Sequence, residues 1–416
     1  MKFVLSILLT TMFIFPSNDS LKNEIGELNL SSENYILYSV DSDTVLLGKN
    51  QDKRLPAASI NKVLTTITAL ELLDGKDLDE VITVEKYILD SVYYNASVAD
   101  LVVGQELTLR EVLYAIMLPS GADATSLMSD YLTGSIDGLV AEMNKKAQDI
   151  GMVNTNIANT SGLDHKDQYT TMEDLLKLLN YALKNDDFKD IYSKKEHEFK
   201  YSPGHVIENQ IIVYADNLGF TFLEGAKSGY TTLANRSLSS IANNDKQSYI
   251  FISTQAGGTN KENYAVLDAI KVYTYLFNNF DEIELKSERA YLDSIKIKNR
   301  LFDYKIYYDE NKNALVPLDY DEEKLEYVFT HAEDLKAPIK EGTLLGTQEI
   351  FYNDVLVYNQ DILATSKISI DIAFTILYLV LVILAILVLL FIIAFIIARI
   401  RLSRHRKRRR QSRNKY

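Results

Sequence analysis

Apolar positions change their spacing several times along this chain, and each change predicts an element. Residues 34–40 and 44–49 are short apolar runs on either side of Asp41-Ser42-Asp43, the pattern of a hairpin. Behind Pro56, the residues Val63, Leu64, Ile67, Leu70 and Leu73 recur at helical spacing. The same period predicts helices over 111–118 and 125–132, around the turn Pro119-Ser120-Gly121, and over 139–150, stopped by Gly151. A helix over 172–183 follows. Three strand-like runs, 226–231, 237–242 and 249–254, come next, and a helix over 262–277 closes this part. Strands at both ends of a helical middle predict one α+β domain, over 27–283, whose antiparallel sheet is completed from both termini around a helical cluster.

Near residues 281–287 the pattern shortens. Residues 288–365 carry brief alternating runs, such as 294–297, 304–308 and 349–356, separated by turns at Glu310-Asn311 and Asn353-Asp354. This predicts a small all-β domain. It holds no chemical constellation, so its expected job is to space or orient the first domain or to contact a partner.

The two ends are specialised. Met1-Lys2, then thirteen mostly apolar residues and the polar run Pro16 to Ser20, read as a secretory signal over 1–20. Residues 372–398 contain no charge over 27 positions. As a helix they would extend about 40 Å, against a hydrocarbon core of about 30 Å, enough for a tilted transmembrane helix. The tail, 399–416, has ten Arg or Lys and no acid. Basic flanks stay on the cytoplasmic side, so the expected protein is single-pass in the cell membrane, with its body extracellular and its basic tail cytoplasmic.

The formal net charge of −13 hides this asymmetry: without the ten tail cations, residues 1–398 stand at −23. So acidic a body argues against nucleic acid as its ligand, and the tail is better read as a topology signal beside anionic lipid. The chain has no cysteine, which excludes disulfides and thiolate chemistry. Its five histidines are scattered without metal-ligand spacing, so neither a metal nor a cofactor is expected.

Candidate chemistry begins at Ser59-Ile60-Asn61-Lys62. A serine hydroxyl needs a neighbouring base, and three residues along a helix put Ser59 and Lys62 on one face. The start of that helix adds partial positive charge. Taken alone, S-x-x-K is weak. Ser120-Gly121-Ala122 adds a second hydroxyl on a turn. Lys227-Ser228-Gly229, followed by Tyr230, sits on a predicted strand. There a lysine and a hydroxyl could hold a carboxylate, the glycine would allow close backbone approach, and an edge amide could donate to an oxyanion.

In that order, these three motifs resemble those of the serine penicillin-recognising enzymes, and in detail the D-alanyl-D-alanine carboxypeptidases of low molecular mass, peptidase family S11. Leu55 to Lys62 resembles the P-A-S-x-x-K entry, and Met117 to Ala124 the second motif. Asn159 to Leu163 resembles the N-x-x-G-L segment, and Tyr169 to Leu175 the run after it. Gly225 to Thr231 resembles the third motif, and Lys336 to Gly342 with Leu345-Gly346 the appended β-module. The resemblance covers roughly 30–365. It implies a β-lactamase/transpeptidase-like fold, and a peptidoglycan stem peptide and β-lactam antibiotics as partners. Ser59 would be the nucleophile, Lys62 its base and Ser120 a proton relay. Lys227, Ser228, Gly229 and Tyr230 would form the substrate side, with the Ser59 and Tyr230 amides as oxyanion hole.

Two departures stand out. Ala122 replaces the usual asparagine, whose amide can bond substrate and orient the lysine, and Ser228 replaces the usual threonine while keeping a hydroxyl. Ala122 therefore motivates an alternative, a penicillin-binding scaffold or sensor with weak turnover. A β-lactamase is a weaker alternative, because no E-x-x-L-N segment of the class A kind lies between the second and third motifs.

Overall fold

The computed structural model describes residues 21, 25–257, 262–285, 291–307, 312–353 and 355–413. The expected signal segment, 1–20, lies outside the described residues. So do the turn at Glu310-Asn311, Asp354 and the last three residues of the tail. Two compact units divide the chain: Met1–Glu284 with Asn313–Glu322, and Leu285–Lys312 with Glu323–Tyr416.

The first unit is built on a five-stranded antiparallel sheet. Its order along the sheet is Thr44–Lys49, Asn34–Ser39, Ser248–Ala256, Asn235–Asn243 and Leu223–Thr231. The N-terminal hairpin thus joins three strands that arrive some 200 residues later, as the pattern predicts. Side chains alternate across a strand, so each strand feeds two cores. Ile36, Ile250 and Ile252 enter one core with the helices of the middle of the chain. Leu37, Tyr249 and Phe251 enter the other, with the helices Gln210–Asn217 and Tyr264–Asn279. The sheet is therefore covered on both faces, which makes this an α+β sandwich of helices, sheet and helices.

The Lys62–Leu72 helix runs through the larger core and is buried from Lys62 to Leu70. Around it pack Leu109–Met117, Ala122–Thr133, Ile136–Asp149 and Met172–Ala182. Local chemistry sets their ends. Thr108 and Glu111 form a reciprocal capping box, Ser135 caps Gly138 N–H, and Thr171 caps Asp174 N–H. The helices Asp186–Ser193 and Gln210–Asn217 were not predicted, although Asn185 and Asn209 cap them.

In the second unit, Leu325–His331, Leu344–Tyr352 and Val355–Leu363 form a three-stranded antiparallel sheet, and Tyr291–Ile295 pairs with Tyr304–Tyr307. Its core includes Ile295, Ile297, Ile306, Ile339, Leu345 and Ile368. The sequence pattern groups all of 288–365 together. The structure differs at Lys312–Pro317, which pairs with Phe280–Leu285 and buries Leu315 in the sheet core of the first unit. A single helix, Ile372–Arg413, follows. Its stretch Ile372–Arg404 is long and apolar enough to cross a membrane. The stretch 372–398, expected to span the membrane, lies within this helix, which continues into the basic tail.

Candidate active site

Ser59 lies in a single 3-10 turn, Ala58–Asn61, that leads into the Lys62–Leu72 helix. The turn is fixed from three sides. Leu55 exchanges both backbone hydrogen bonds with Thr170 just before it. The loop Asn159–Leu163 packs over it at Gly162, whose φ is +82° and where a Cβ would come within 2.2 Å of the Ala58 carbonyl oxygen. The strand Leu223–Thr231 abuts it at Gly229, where a Cβ would meet Ser59 N at 2.5 Å. Both positions need glycine because backbone meets backbone there. Ala58 itself has φ 49° and Ser120 φ 67°, left-handed values that non-glycine residues seldom adopt and that concentrate at functional sites.

Lys62 is 2% exposed. Its Nζ donates to Ser59 Oγ at 3.2 Å and to the Ser161 carbonyl oxygen at 2.5 Å. Burial lowers its pKa well below the ordinary lysine value, and the charge of Lys227 lowers it further, against a smaller raising effect of Asp123. Lys227 is 3% exposed, and burial lowers its pKa to about 7. Its Nζ donates only to the Ser228 carbonyl oxygen, at 3.2 Å, and among the described residues neither lysine is hydrogen-bonded to a carboxylate.

Lys227 to Tyr230 occupy the edge strand of the sheet, so the outer side of this strand has no sheet neighbour and faces the Ser59 turn. Asn209 Nδ2 holds the Ala226 carbonyl oxygen at 2.9 Å from behind. Beyond Tyr230, Thr231 Oγ1 donates to Asp164 Oδ1 at 2.6 Å, and Asp164 Oδ2 accepts Leu233 N–H, tying the strand's end to the Asn159–Leu163 loop. Asp164 and Asp123 thus act as turn braces. Asp123 accepts the amides of Ala99, Leu101 and Ala124.

Ser120 ends the turn before the Ala122–Thr133 helix. Its Oγ is buried and finds no hydrogen-bond partner among the described residues. A buried hydroxyl without a partner is costly in a finished core and useful in a site that a ligand completes. Ala122 is buried, with its amide on the Ser97 carbonyl.

The sequence reading missed Ser161. It assigned lysine orientation to a side-chain amide that Ala122 cannot supply, whereas the backbone carbonyl of Ser161 supplies an acceptor for Lys62. Asn159 holds this carbonyl in place, since its Oδ1 accepts the amides of Gly162 and Leu163 and the hydroxyl of Ser161. The N-x-x-G-L resemblance was the available signal, but a backbone acceptor leaves no mark in residue identity.

A serine beside a buried lysine of lowered pKa, on a helix start pressed against an edge strand of a helix-covered antiparallel sheet, defines the class of serine acyl-transfer enzymes. The chain belongs to the D-alanyl-D-alanine carboxypeptidase family, peptidase S11, whose profile it matches over residues 21–257. It is 25% identical over 352 residues to the D-alanyl-D-alanine carboxypeptidase DacF of Bacillus subtilis, covering 83% of this chain and 86% of that one. With DacB2 of Mycobacterium tuberculosis it shares 31% identity over 209 residues, 49% of this chain and 68% of the relative. In fold it is similar to penicillin binding protein 5 from Haemophilus influenzae, with a TM-score of 0.67 at 19% identity over 82% of this chain and 98% of that chain.

Proposed function

We propose that this protein is a membrane-anchored serine D-alanyl-D-alanine carboxypeptidase that trims the terminal D-alanine from peptidoglycan stem pentapeptides through an ester on Ser59. The observation that carries this reading is the contact of Lys62 Nζ with Ser59 Oγ, where burial favours the neutral amine. Neutral Lys62 takes the Ser59 proton as Oγ bonds to the penultimate D-alanine carbonyl carbon. The negative charge that develops on the carbonyl oxygen meets the amides of Ser59 and Tyr230. The peptide C–N bond then breaks, and the leaving nitrogen receives its proton by way of Ser120. Lys227 and Ser228 hold the substrate's terminal carboxylate, whose negative charge restores the protonated state of Lys227. Gly229 lets the backbone come close. Water cleaves the ester and regenerates Ser59. A β-lactam ring presents a similar acyl group and carboxylate, and acylates the same oxygen.

The topology belongs to the same reading. Residues 27–283 form the catalytic domain outside the cell, 372–398 the span, and 399–416 a cytoplasmic tail held by its positive charge. Protease added to whole cells is expected to cut the body and spare the tail, and protection of the body would overturn the orientation.

Intact mass spectrometry of the full chain tests the chemistry. Incubation with a stem pentapeptide should release D-alanine, and penicillin should then add one adduct that maps to Ser59. Both should vanish in Ser59→Ala. A stable adduct with no D-alanine release would instead identify the weak-turnover binder that Ala122 suggests.

A further inference from the structure

Membrane spans are often tied to their outer domains by a flexible linker, and here the linker is missing. In the second unit, Ile339 and Ile368 exchange backbone hydrogen bonds at 2.9 and 3.0 Å, and Ile368 is buried in the unit's core. Three residues later comes Asp371. Its carbonyl oxygen accepts Thr375 N–H at 3.0 Å, so the long helix begins directly on it. Its carboxylate is occupied elsewhere. Asp371 Oδ1 pairs with Arg300 at 2.7 Å, and Oδ2 accepts the amides of Leu301 at 3.1 Å and Phe302 at 3.4 Å. Arg300 also donates to the Ser369 carbonyl oxygen at 2.7 Å. The side chains of Arg300 and Asp371 are only 18% and 15% exposed, so this clamp is sheltered from water and resists salt.

The clamp holds a turn whose far side is also fixed. Lys298 exchanges backbone bonds with Leu335 and Ala337, and Asn299 Nδ2 donates to the Ala337 carbonyl at 3.0 Å. What this braced turn presents outward is apolar: Leu301 is exposed and Phe302 is 69% exposed. Ile370 and Ile372, on either side of Asp371, are exposed as well. An exposed Leu-Phe pair on a fixed turn, with Ile370 and Ile372 exposed close by in the chain, is a candidate contact surface.

We infer that Leu301 and Phe302 form a second membrane contact, an apolar tip that enters the interfacial layer of the bilayer beside the first turn of the spanning helix. The occupant follows from continuity. The tip hangs from the carboxylate of Asp371, and the next residue, Ile372, opens the apolar span. Whatever covers Ile372 lies within reach of Phe302. The 27 uncharged residues exceed the hydrocarbon thickness by about 10 Å, so the first turns of the helix can lie in the interfacial layer rather than above it. Aromatic and aliphatic side chains are favoured there, and a paired arginine at helix entry matches the polarity of that layer. One point of attachment leaves a domain free to tilt about the helix. Two points fix the attitude of the second unit on the membrane.

This inference rests on the reading of Ile372–Arg404 as a membrane span, and the experiment separates the two. The chain contains no cysteine, so single-cysteine variants report one place each. Phe302→Cys and Leu387→Cys are made in the full chain, labelled with an environment-sensitive fluorophore, and reconstituted in phosphatidylcholine–phosphatidylglycerol vesicles. Both probes should shift to the blue. The Phe302 site should be quenched best by a nitroxide near the headgroup and the Leu387 site by one deep in the acyl chains. Adding Asp371→Ala should return the Phe302 probe towards its aqueous spectrum and leave Leu387 unchanged. An aqueous Phe302 probe beside a deeply quenched Leu387 probe would overturn the inference and spare the span. Aqueous signals at both would overturn the span and the inference together.

Discussion

Two sites among the described residues treat sheltered cations oppositely. Lys62 and Lys227 are buried in the first unit with hydroxyl and carbonyl partners, and burial pushes both away from the charged form. Arg300, in the second unit, is partly sheltered and sits on a carboxylate that also gathers two backbone amides. The first arrangement spends stability to hold amines that can take a proton or receive an anion. The second pairs its charge with a carboxylate and holds a shape. On the proposed mechanism, shelter without a counter-charge marks the reacting lysines, and shelter with one marks construction.

That contrast breaks first if Lys62 proves dispensable. Lys62→Met should lower the rate of acylation by penicillin by about a thousandfold or more, because the serine loses its base. It should also raise unfolding free energy by about 1 kcal/mol, as a buried amine gives way to an apolar chain of similar length. Stopped-flow acylation and urea denaturation would measure the two, and a loss of stability would count against the contrast.

Lys227→Met should come next, lowering kcat/KM for the pentapeptide by roughly 30- to 1000-fold through loss of a charge-assisted carboxylate contact. The same variant tests the titration. Folded Lys227 has a pKa near 7 and an unfolded lysine stays protonated to about 10.5. Between those values the unfolded state binds the extra proton, so stability should rise with pH across this window and flatten above it. In Lys227→Met this part of the rise should be absent from denaturant midpoints taken between pH 7 and 10.

Ser120→Ala should cut turnover by about a hundredfold while leaving stability within about 0.5 kcal/mol, since its hydroxyl forms no bond that folding would lose. A large destabilisation would make Ser120 a structural group. The smallest effect belongs to the paired cation. Asp371→Asn should lower stability by about 1 kcal/mol, strip hydrogen-exchange protection from the amides of Leu301 and Phe302, and leave D-alanine release untouched.

Much of the first unit was legible because its signals are local. Helical spacing places the Lys62–Leu72 and Met172–Ala182 helices, and short apolar runs place the five strands. The pattern groups Lys312–Pro317 with the rest of 288–365, whereas it pairs with Phe280–Leu285, because a short strand looks alike whether its partner is near or far. The helix Gln210–Asn217 was overlooked although Asn209 marks its start, because eight residues give too few turns to establish a period.

By itself, the sequence determined which groups could react and in what order they occur: the hydroxyl and amine of Ser59 and Lys62, the second hydroxyl at Ser120, the lysine strand, and an uncharged run long enough to span a bilayer. Those properties belong to side-chain chemistry and short-range periodicity. Only tertiary structure decided that Lys62 is buried, that Lys227 stands close enough to add its charge, that the Ser161 carbonyl accepts from Lys62, and that Arg300 meets Asp371 across 71 positions of chain. Desolvation and backbone acceptors are properties of place. A residue acquires them from neighbours that are distant in the chain, and no local pattern encodes which neighbours those will be.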